Sequence, residues 1–259
     1  MNLTFDTKSA LITGAAGAIG KGIARVLLDA GARVFITDLD PDAVGAAAAE
    51  LGESCRGLAA DVAVQEQVVS VVEAAREFLG EKIDVLVNCA GFIGQGRVEE
   101  ITVEEWDRMF AVNCRGTFLF CKHVVPLMKR RGYGKIVNFS SKSGKTGSAL
   151  LSHYSAAKAA IMGFTQALAY ELAGDRITVN CVCPGITEGT GVWARCSAEY
   201  IENLGKSREE VVKQFTSKVP LGRLARVDDV VALVVFLCSE KSDYMTGQSI
   251  NVTGGREMH

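Results

Sequence analysis

Short apolar runs rich in β-branched residues alternate along the chain with longer segments whose apolar residues recur at helical spacing. Ser9–Thr13 is the first such run and predicts a strand. The segment after it keeps its apolar residues on one helical face, and Gly31 stands where a helix C-terminus favours glycine. The residues on that face are Ile19, Ile23, Val26, Leu27 and Ala30.

The same alternation continues along the chain without a linker, a repeat or a low-complexity segment. It predicts one domain over residues 1–259, in which a parallel sheet is covered by helices on both faces. Six further strands are predicted at Arg33–Thr37, Gly57–Ala60, Val85–Asn88, Lys135–Phe139, Thr178–Val182 and Gln248–Val252. Helices are predicted from Pro41 onward and at Gln65–Leu79, Val103–Arg131, Tyr154–Ala173 and Val227–Leu237.

A glycine-rich turn, Gly14–Gly20, follows the first strand directly. Its position decides between two α/β folds of similar length, the (β/α)8 barrel and the doubly wound sheet. A doubly wound sheet binds a pyrophosphate at such a turn, so the sequence predicts that fold class.

One segment, Gly185–Pro220, breaks the alternation. It is long, mixed in charge, and carries Trp193, Tyr200 and Phe215. A long insertion beside the carboxyl ends of strands is typical of a functional loop, so we expect a substrate lid over about residues 186–218.

Composition narrows the class of protein. The 259 residues are 48% hydrophobic with a net charge of −2, so they favour neither a nucleic-acid nor a membrane-surface partner. The longest apolar run, Val230–Cys238, is too short to span a bilayer, and no export signal is visible. Eight cysteines without a Cys-x-x-Cys pair indicate buried thiols in the cytoplasm rather than disulfides, and no metal site is expected.

The Gly14–Gly20 turn is a candidate phosphate site. Gly14, Gly17 and Gly20 let the backbone approach a phosphate, and the helix that begins near Ala18 and Ile19 offers free N–H groups. The alternative interpretation is an ordinary tight turn.

Asp38 follows the second strand, about 20 residues after the glycines, where a carboxylate can accept hydrogen bonds from ribose hydroxyls. It would repel a 2′-phosphate, and no lysine or arginine lies within Gly14–Gly20. The pattern favours NAD over NADP. The alternative is a solvated loop acid, since Asp40 and Asp42 lie close by.

Two further strand ends supply candidate cofactor contacts. Asp61 could accept a hydrogen bond from an adenine amino group with Val62 packed on the ring, or it could cap a helix. Asn88 could brace neighbouring strands, while Ala90 and Gly91 let the backbone pass close to the cofactor.

Tyr154 and Lys158 stand four residues apart in a predicted helix and therefore share one face. A tyrosine of ordinary pKa is a poor base at neutral pH, but a nearby ammonium and a positive nicotinamide both stabilise the phenolate. Such a pair also occurs by chance on many helix surfaces.

Ser141 follows the fifth strand, where its hydroxyl could donate to a substrate oxygen, although Ser140 and Ser143 compete for that role. Asn113 could hold a water that relays protons to Lys158. The alternatives are a turn hydroxyl for Ser141 and a helix-surface or kink residue for Asn113.

These motifs, in this order and spacing across essentially the whole chain, resemble the short-chain dehydrogenase/reductase family. They are the glycine turn, Asn88-Cys89-Ala90-Gly91, Asn113, Ser141, Tyr154-x-x-x-Lys158 and Pro184-Gly185. The resemblance implies a Rossmann-type fold with a seven-stranded parallel sheet, in a dimer or tetramer. It also implies that Tyr154 is the general acid/base and that Lys158 binds the nicotinamide ribose and lowers the pKa of Tyr154. By the same resemblance, Ser141 orients the reacting oxygen and Asn113 is part of a proton relay.

The chain departs from the family pattern at two points. Ala18 replaces the middle glycine of the turn, an exchange that should leave pyrophosphate binding intact. Near Pro184-Gly185, either Thr187 or Thr190 could contact the nicotinamide carboxamide, with Thr187 the first choice.

Candidate substrate contacts are Lys142, Lys145, His153 and Trp193, together with Ser141. Lysines near the reacting centre suit a polyhydroxylated or anionic substrate, although both could be solvated loop residues. The Ser141–Lys145 segment and the end Thr246–Gly255 also look like the sorbitol-6-phosphate and polyol dehydrogenase branch. We therefore expect NAD-dependent oxidation of a sugar alcohol, its phosphate or a small polar diol to the ketone.

Two other functions stay open at this stage: a 3-oxoacyl reductase, which Asp38 disfavours, and a catalytically idle NAD-binding sensor or scaffold. The segments 103–131 and 154–173 carry more apolar positions than one sheet face needs, and the family resemblance implies that they pack against their counterparts in another subunit. Burial within one subunit is the alternative.

Overall fold

A computed structural model of the protein describes residues 3–259, apart from the side chains of residues 202–204. Seven parallel strands form one sheet in the order β3-β2-β1-β4-β5-β6-β7. The strands are β1 (Ser9–Thr13), β2 (Arg33–Thr37), β3 (Cys55–Gly57), β4 (Val85–Asn88), β5 (Gly134–Phe139), β6 (Ile177–Pro184) and β7 (Ser249–Val252). The predicted doubly wound, Rossmann-type fold is confirmed.

Ten α-helices accompany the sheet over the described residues. They are α1 (Ala18–Asp29), α2 (Pro41–Leu51), α3 (Gln65–Phe78), α4 (Val103–Phe110), α5 (Gly116–Arg131), α6 (Lys142–Thr146), α7 (Ser152–Leu172), α8 (Gly191–Leu204), α9 (Arg208–Thr216) and α10 (Val227–Cys238).

Two hydrophobic cores lie on opposite faces of the sheet. Ala10 and Ile12 of β1 pack with residues of α1, α2 and α10, whereas Leu11 between them packs with residues of α3, α5 and α7. Successive side chains of a strand point to opposite faces, so an apolar run without alternation is what a sheet covered on both sides needs. All five residues of β1 are buried.

Several predicted boundaries differ from the structure. The third strand is Cys55–Gly57 rather than Gly57–Ala60. The single helix expected over Val103–Arg131 consists of α4 and α5 joined by a π-helical turn at Ala111–Arg115. The short helix α6 was not predicted, nor were α8 and α9 within the Gly185–Pro220 segment.

Other features concern the whole described chain. No helix within residues 3–259 is both long and apolar enough to cross a membrane. The same residues contain no group of three or more His, Cys, Asp or Glu side chains arranged to hold a metal ion. All eight cysteines are free thiols, and six of them are buried.

Strand order reverses direction between β1 and β4, which are neighbours although the chain visits two other strands between them. Ligands of open α/β sheets bind at the carboxyl ends of the strands beside such a reversal. The fold therefore indicates a ligand site at the loops after β1 and β4.

Candidate active site

The loops after β1 and β4 touch at the reversal of strand order. The Ala90 backbone N–H donates to Oγ1 of Thr13 at 3.0 Å. Gly14 has φ +65°, and a Cβ added there would lie 2.7 Å from both Cα and N of Ala90. Only glycine fits at this crossing.

The turn between β1 and α1 is equally tight at its far end. A Cβ on Gly20 would lie 2.5 Å from the carbonyl oxygen of Gly14. The residue before α1 is Gly17, so no side chain caps the helix, and the N–H groups near Ala18 and Ile19 stay available. This turn is the part of the chain that could hold a pyrophosphate.

Asp38 ties the end of β2 to that turn. Its Oδ2 accepts a hydrogen bond from the Ala16 N–H at 3.0 Å, and its Oδ1 accepts one from the Leu39 N–H at 2.8 Å. Asp38 is half-buried, so it is not the freely solvated loop acid of the alternative interpretation.

Asp61 and Val62 have local structural contacts. Oδ1 of Asp61 accepts from the Ala63 N–H at 2.8 Å, which makes a turn after β3. Val62 is buried against α5, where a Cβ on Gly116 would lie 2.8 Å from its Cγ2. Their proposed adenine contacts therefore stay predictions.

Asn88 braces neighbouring elements, as expected. Its Nδ2 donates to Oδ1 of Asn138 on β5 at 2.9 Å, and Nδ2 of Asn138 donates to Oγ1 of Thr165 on α7 at 2.9 Å. All three side chains are buried. This chain of hydrogen bonds fixes α7 against the sheet near its functional face.

Tyr154 and Lys158 lie one turn apart in α7, and both line a cleft above the carboxyl ends of the strands. Nζ of Lys158 is 5.7 Å from the centroid of the Tyr154 ring and donates to the carbonyl oxygen of Phe139 at 2.9 Å. Ser141 borders the same cleft and caps α6, because its Oγ accepts from the Ser143 N–H at 3.1 Å. Its competitor Ser140 instead donates to the carbonyl oxygen of Lys158.

Asn113 lies in the π-helical turn between α4 and α5 and is buried. Its Nδ2 donates to the carbonyl oxygens of Phe92 and Met109 at 2.9 and 3.0 Å, and its Oδ1 accepts from the Phe92 N–H at 3.3 Å. A Cβ on Gly91 would lie 3.2 Å from that Oδ1 and 3.4 Å from Nζ of Lys158. Asn113 and Lys158 therefore both face Gly91.

Burial dominates the protonation of the central pair. It raises the pKa of Tyr154 to about 12, although a hydrogen bond with Ser141 opposes the rise. Burial also lowers the pKa of Lys158. Loss of solvation therefore dominates the Tyr154 phenol in the protein without ligands, and the joint effect expected from Lys158 and a positive nicotinamide stays a prediction.

Comparison with known proteins decides the family. A family profile described as enoyl-(acyl carrier protein) reductase matches residues 14–257. A galactitol 2-dehydrogenase of Agrobacterium fabrum is 38% identical over 258 residues, covering 99% of this chain and 100% of that protein. The chain belongs to the short-chain dehydrogenase/reductase family.

Solved structures of short-chain dehydrogenases/reductases agree with this assignment. A crystal structure of NAD+-bound xylitol dehydrogenase has a TM-score of 0.92 at 30% identity and covers 97% of this chain and 99% of that one. A crystal structure of an actinorhodin polyketide ketoreductase variant with NADPH has a TM-score of 0.94 at 37% identity, with coverage of 99% and 100%. The protein is thus an oxidoreductase of this family.

Many residues predicted for the site of this short-chain dehydrogenase/reductase line one cleft. They are Ile19, Gly91, Asn113, Ser141, Lys142, Tyr154, Lys158, Pro184, Gly185, Thr187, Thr190 and Trp193. Segments distant in sequence therefore meet at one place.

Two predicted substrate contacts lie elsewhere. Nζ of Lys145 donates to the carbonyl oxygen of Ser249 at 2.8 Å, and Lys145 does not line the cleft. His153 is buried near Gly94 and also lies outside the cleft lining. His153 is one residue from Tyr154 and Lys145 is two residues from Ser143, and in a helix such steps turn a side chain to another face.

The two candidate threonines differ in how their hydroxyls are used. Thr190 caps α8, because its Oγ1 accepts a hydrogen bond from the Trp193 N–H at 3.1 Å. The same hydroxyl donates to the carbonyl oxygen of Thr187 at 2.8 Å. Oγ1 of Thr187 makes only a 3.3 Å contact with the carbonyl oxygen of Gly185. Thr187 is therefore the freer hydroxyl at the cleft.

Sequence reasoning missed several cleft residues. The cleft-lining residues that the sequence analysis did not propose include Phe92, Ile93, Leu151, Cys196 and Arg256. The aromatic residues Tyr200 and Phe215 of the Gly185–Pro220 segment also line the cleft. No local pattern marks Arg256, because only the return of the chain after β7 brings it there.

Proposed function

We propose that the protein is an NAD-dependent dehydrogenase that interconverts a secondary alcohol and its ketone. The observation that carries the proposal is that Tyr154, Lys158 and Ser141 border one cleft beside the Gly14–Gly20 turn, with Asn113 behind Gly91. Family membership supports the class of reaction.

The residues of the turn fit a dinucleotide. Gly14 and Gly20, where a Cβ would collide with backbone, keep the turn tight, and the N–H groups at the start of α1 have no side-chain cap and could bind a pyrophosphate. Asn88, Ala90 and Gly91 would border the cofactor on the other side, with Asp61 and Val62 near its adenine. Pro184, Gly185 and Thr187 would hold the nicotinamide. When bound, an oxidised nicotinamide accepts the hydride of the alcohol and adds positive charge to the cleft.

Ser141 and Tyr154 handle the proton of the alcohol. The Ser141 hydroxyl orients the substrate oxygen, and the Tyr154 phenolate takes its proton as general base. Because the pKa of Tyr154 is about 12 without ligands, the phenolate needs added positive charge in the cleft. Lys158 contributes to that field, and Asn113 holds a water that passes the proton onward.

Asp38 favours NAD over NADP. The carboxylate lies at the end of β2 against the turn, where a 2′-phosphate would meet a like charge. Two cations of α1, Lys21 and Arg25, are engaged by the Glu50 carboxylate at 2.8 and 2.6 Å.

The substrate is a small polar alcohol: a sugar alcohol, its phosphate or a diol. The relatives named galactitol 2-dehydrogenase and xylitol dehydrogenase support this class. The segment over residues 186–218 acts as the lid, because Trp193, Cys196 and Phe215 form part of the cleft wall.

One panel tests the proposal. Sugar alcohols, their phosphates and short diols are each offered with NAD and with NADP, and reduced nicotinamide is followed by absorbance. We expect reduction of NAD by at least one polyol, with NADP the poorer acceptor. Binding of NAD without its reduction by any alcohol would contradict the proposal.

A second function has a specific observation in its favour. The structure of the polyketide ketoreductase variant with NADPH matches this chain at a TM-score of 0.94. If the protein is instead a 3-oxoacyl reductase, NADPH-dependent reduction of a 3-oxoacyl thioester will exceed any oxidation of polyols in the same assay.

A further inference from the structure

Arg256 places a guanidinium at the cleft with almost no polar partner. Its side chain is 20% exposed, and the guanidinium lies 5.8 Å from the ring centroid of Phe215 in α9. Within the described chain, its one polar contact is Nε to Oε1 of Glu257 at 3.5 Å. A guanidinium has five N–H donors, so the chain itself leaves nearly all of them unused.

Lys142 lies on the same wall of the cleft and is 11% exposed. Its Nζ donates to Oγ of Ser148 at 3.1 Å and to the carbonyl oxygen of Gly147 at 3.3 Å. An ammonium has three donors. The third has only Oε1 of Glu257 at 3.6 Å, which is too long for a hydrogen bond.

Positive charge is in excess at this end of the cleft. Burial lowers the pKa of Lys142, the charges of Arg256 and Lys218 lower it further, and the Glu257 carboxylate opposes the shift. One carboxylate, at 3.5 and 3.6 Å, therefore faces two mostly buried cations. These two mostly buried cations share a single carboxylate that leaves their charge only partly balanced, so an incoming anion is favoured there.

The chain holds this arrangement in place before any ligand binds. The carbonyl oxygen of Glu257 accepts hydrogen bonds from Nδ2 of Asn251 and Oγ1 of Thr253, both at 3.1 Å. The segment that carries Arg256 is thereby fastened to the end of β7. Such preorganisation reduces the entropy lost on binding.

We propose that Arg256 and Lys142 form a subsite for an anionic oxygen group, a carboxylate or a phosphate, on the substrate. The inference rests on the proposed function, because the subsite belongs to the same cleft as Ser141 and Tyr154. It narrows the substrate from polyols in general to sugar acids or sugar phosphates. Lys145, although close in sequence, takes no part.

Matched substrates test the subsite by turnover. Each sugar alcohol is compared with its phosphate and with the aldonic acid of the same carbon chain, at a fixed NAD concentration. We expect one charged member to exceed its neutral partner in kcat/KM by about tenfold or more, as charged hydrogen bonds contribute. Arg256→Gln should remove most of that preference, because it should lower kcat/KM for the charged substrate far more than for its neutral partner.

Two further variants keep the turnover result interpretable. Arg256→Lys retains the charge and should restore part of the preference, which a merely structural defect would not do. Lys145→Gln removes a cation three residues from Lys142 but outside the cleft, and it should leave the preference unchanged.

A binding measurement needs no turnover. Trp193 lines the cleft and Trp106 is exposed, so in a Trp106→Phe background the remaining tryptophan reports on the cleft. Benzoate serves as carboxylate probe and inorganic phosphate as phosphate probe. We expect at least one to change Trp193 fluorescence saturably, and Arg256→Gln to weaken that binding about tenfold.

The outcomes separate the two proposals. If no alcohol is oxidised but probe binding depends on Arg256, the proposed function fails and the subsite stands. If neutral polyols react as well as their charged partners, or if an anion preference survives both Arg256→Gln and Lys142→Gln, the subsite is overturned. Absence of probe binding together with absence of turnover overturns both.

Discussion

Gly91 lies where Asn113 and Lys158 approach the backbone of the loop after β4. An alanine Cβ there would lie 3.2 Å from Oδ1 of Asn113, which would have to shift, and in ordinary contact at 3.4 Å from Nζ of Lys158. A misplacement of about 1 Å among positioned groups can lower a rate about 100-fold. We expect Gly91→Ala to lower kcat at least about tenfold, measured by steady-state kinetics.

The matched control for Gly91→Ala is Gly163→Ala in α7. No atom lies within 4 Å of a Cβ at Gly163, and alanine is the better helix former. This variant should keep full activity and unfold at an equal or higher temperature. Equal activity of the Gly91 and Gly163 variants would show that Asn113 does not need its present position.

Sequence alone predicts the location of some site residues but not of others. The Tyr154–Lys158 pair is predictable because four residues of a helix bring two side chains to one face. Lys142 and Lys145 look alike in sequence, yet one borders the cleft and the other bonds to Ser249. Only the direction of α6 decides between them, and α6 is too short to show a helical period.

At the scale of elements, the π-helical turn at Ala111–Arg115 is the feature that periodicity could not find. Its cause is tertiary, because Asn113 exchanges hydrogen bonds with the Phe92 backbone on another loop. Apolar spacing on both sides suits a continuous helix, so the sequence predicts one. Interruptions of this kind occur often at functional sites.

The N-terminus of α10 offers a test of element stability. Asp229 accepts from the Arg226 N–H at 2.7 Å, and the Arg223 guanidinium binds both of its oxygens at 2.6 and 3.0 Å. We expect Asp229→Asn to lower the free energy of unfolding by about 1 kcal/mol at pH 7, measured by urea denaturation. Asp228→Asn, in the same first turn, is the matched control.

The same interaction has a defined pH dependence. Hydrogen bonds from Arg223 and Arg226 lower the pKa of Asp229 to about 2. The folded state therefore favours the ionised carboxylate, and its stabilisation is present above the ordinary pKa near 3.8 and is lost as the pH falls towards 2. The difference between wild type and Asp229→Asn should shrink across that range; a constant difference would contradict this origin.

At the scale of the whole molecule, a parallel sheet covered on both faces was predictable because short apolar, β-branched runs alternate with segments of helical period. The third strand was misplaced by two to three residues because it is short and lies at the sheet edge, with Arg56 exposed. The return of Arg256 to the cleft depends on the closing of β7 against β6, which no local pattern encodes.

Large apolar side chains remain exposed on the helices for which we expected subunit contacts. Trp106 of α4, Phe118 of α5 and Tyr170 of α7 are 42%, 45% and 89% exposed. We expect light scattering to give the mass of a dimer or tetramer, and Phe118→Asp to shift that mass towards one chain. A monomeric wild type at micromolar concentration would contradict the expectation.

The central claim is that the Tyr154 phenol exchanges the proton of the substrate hydroxyl. Tyr154→Phe tests it most directly, because the substitution removes one oxygen and leaves the ring. We predict that turnover of the best alcohol in the panel falls at least about 100-fold, as loss of a general base does, while NAD affinity measured by calorimetry stays within about twofold. A variant with near-normal kcat would contradict the account.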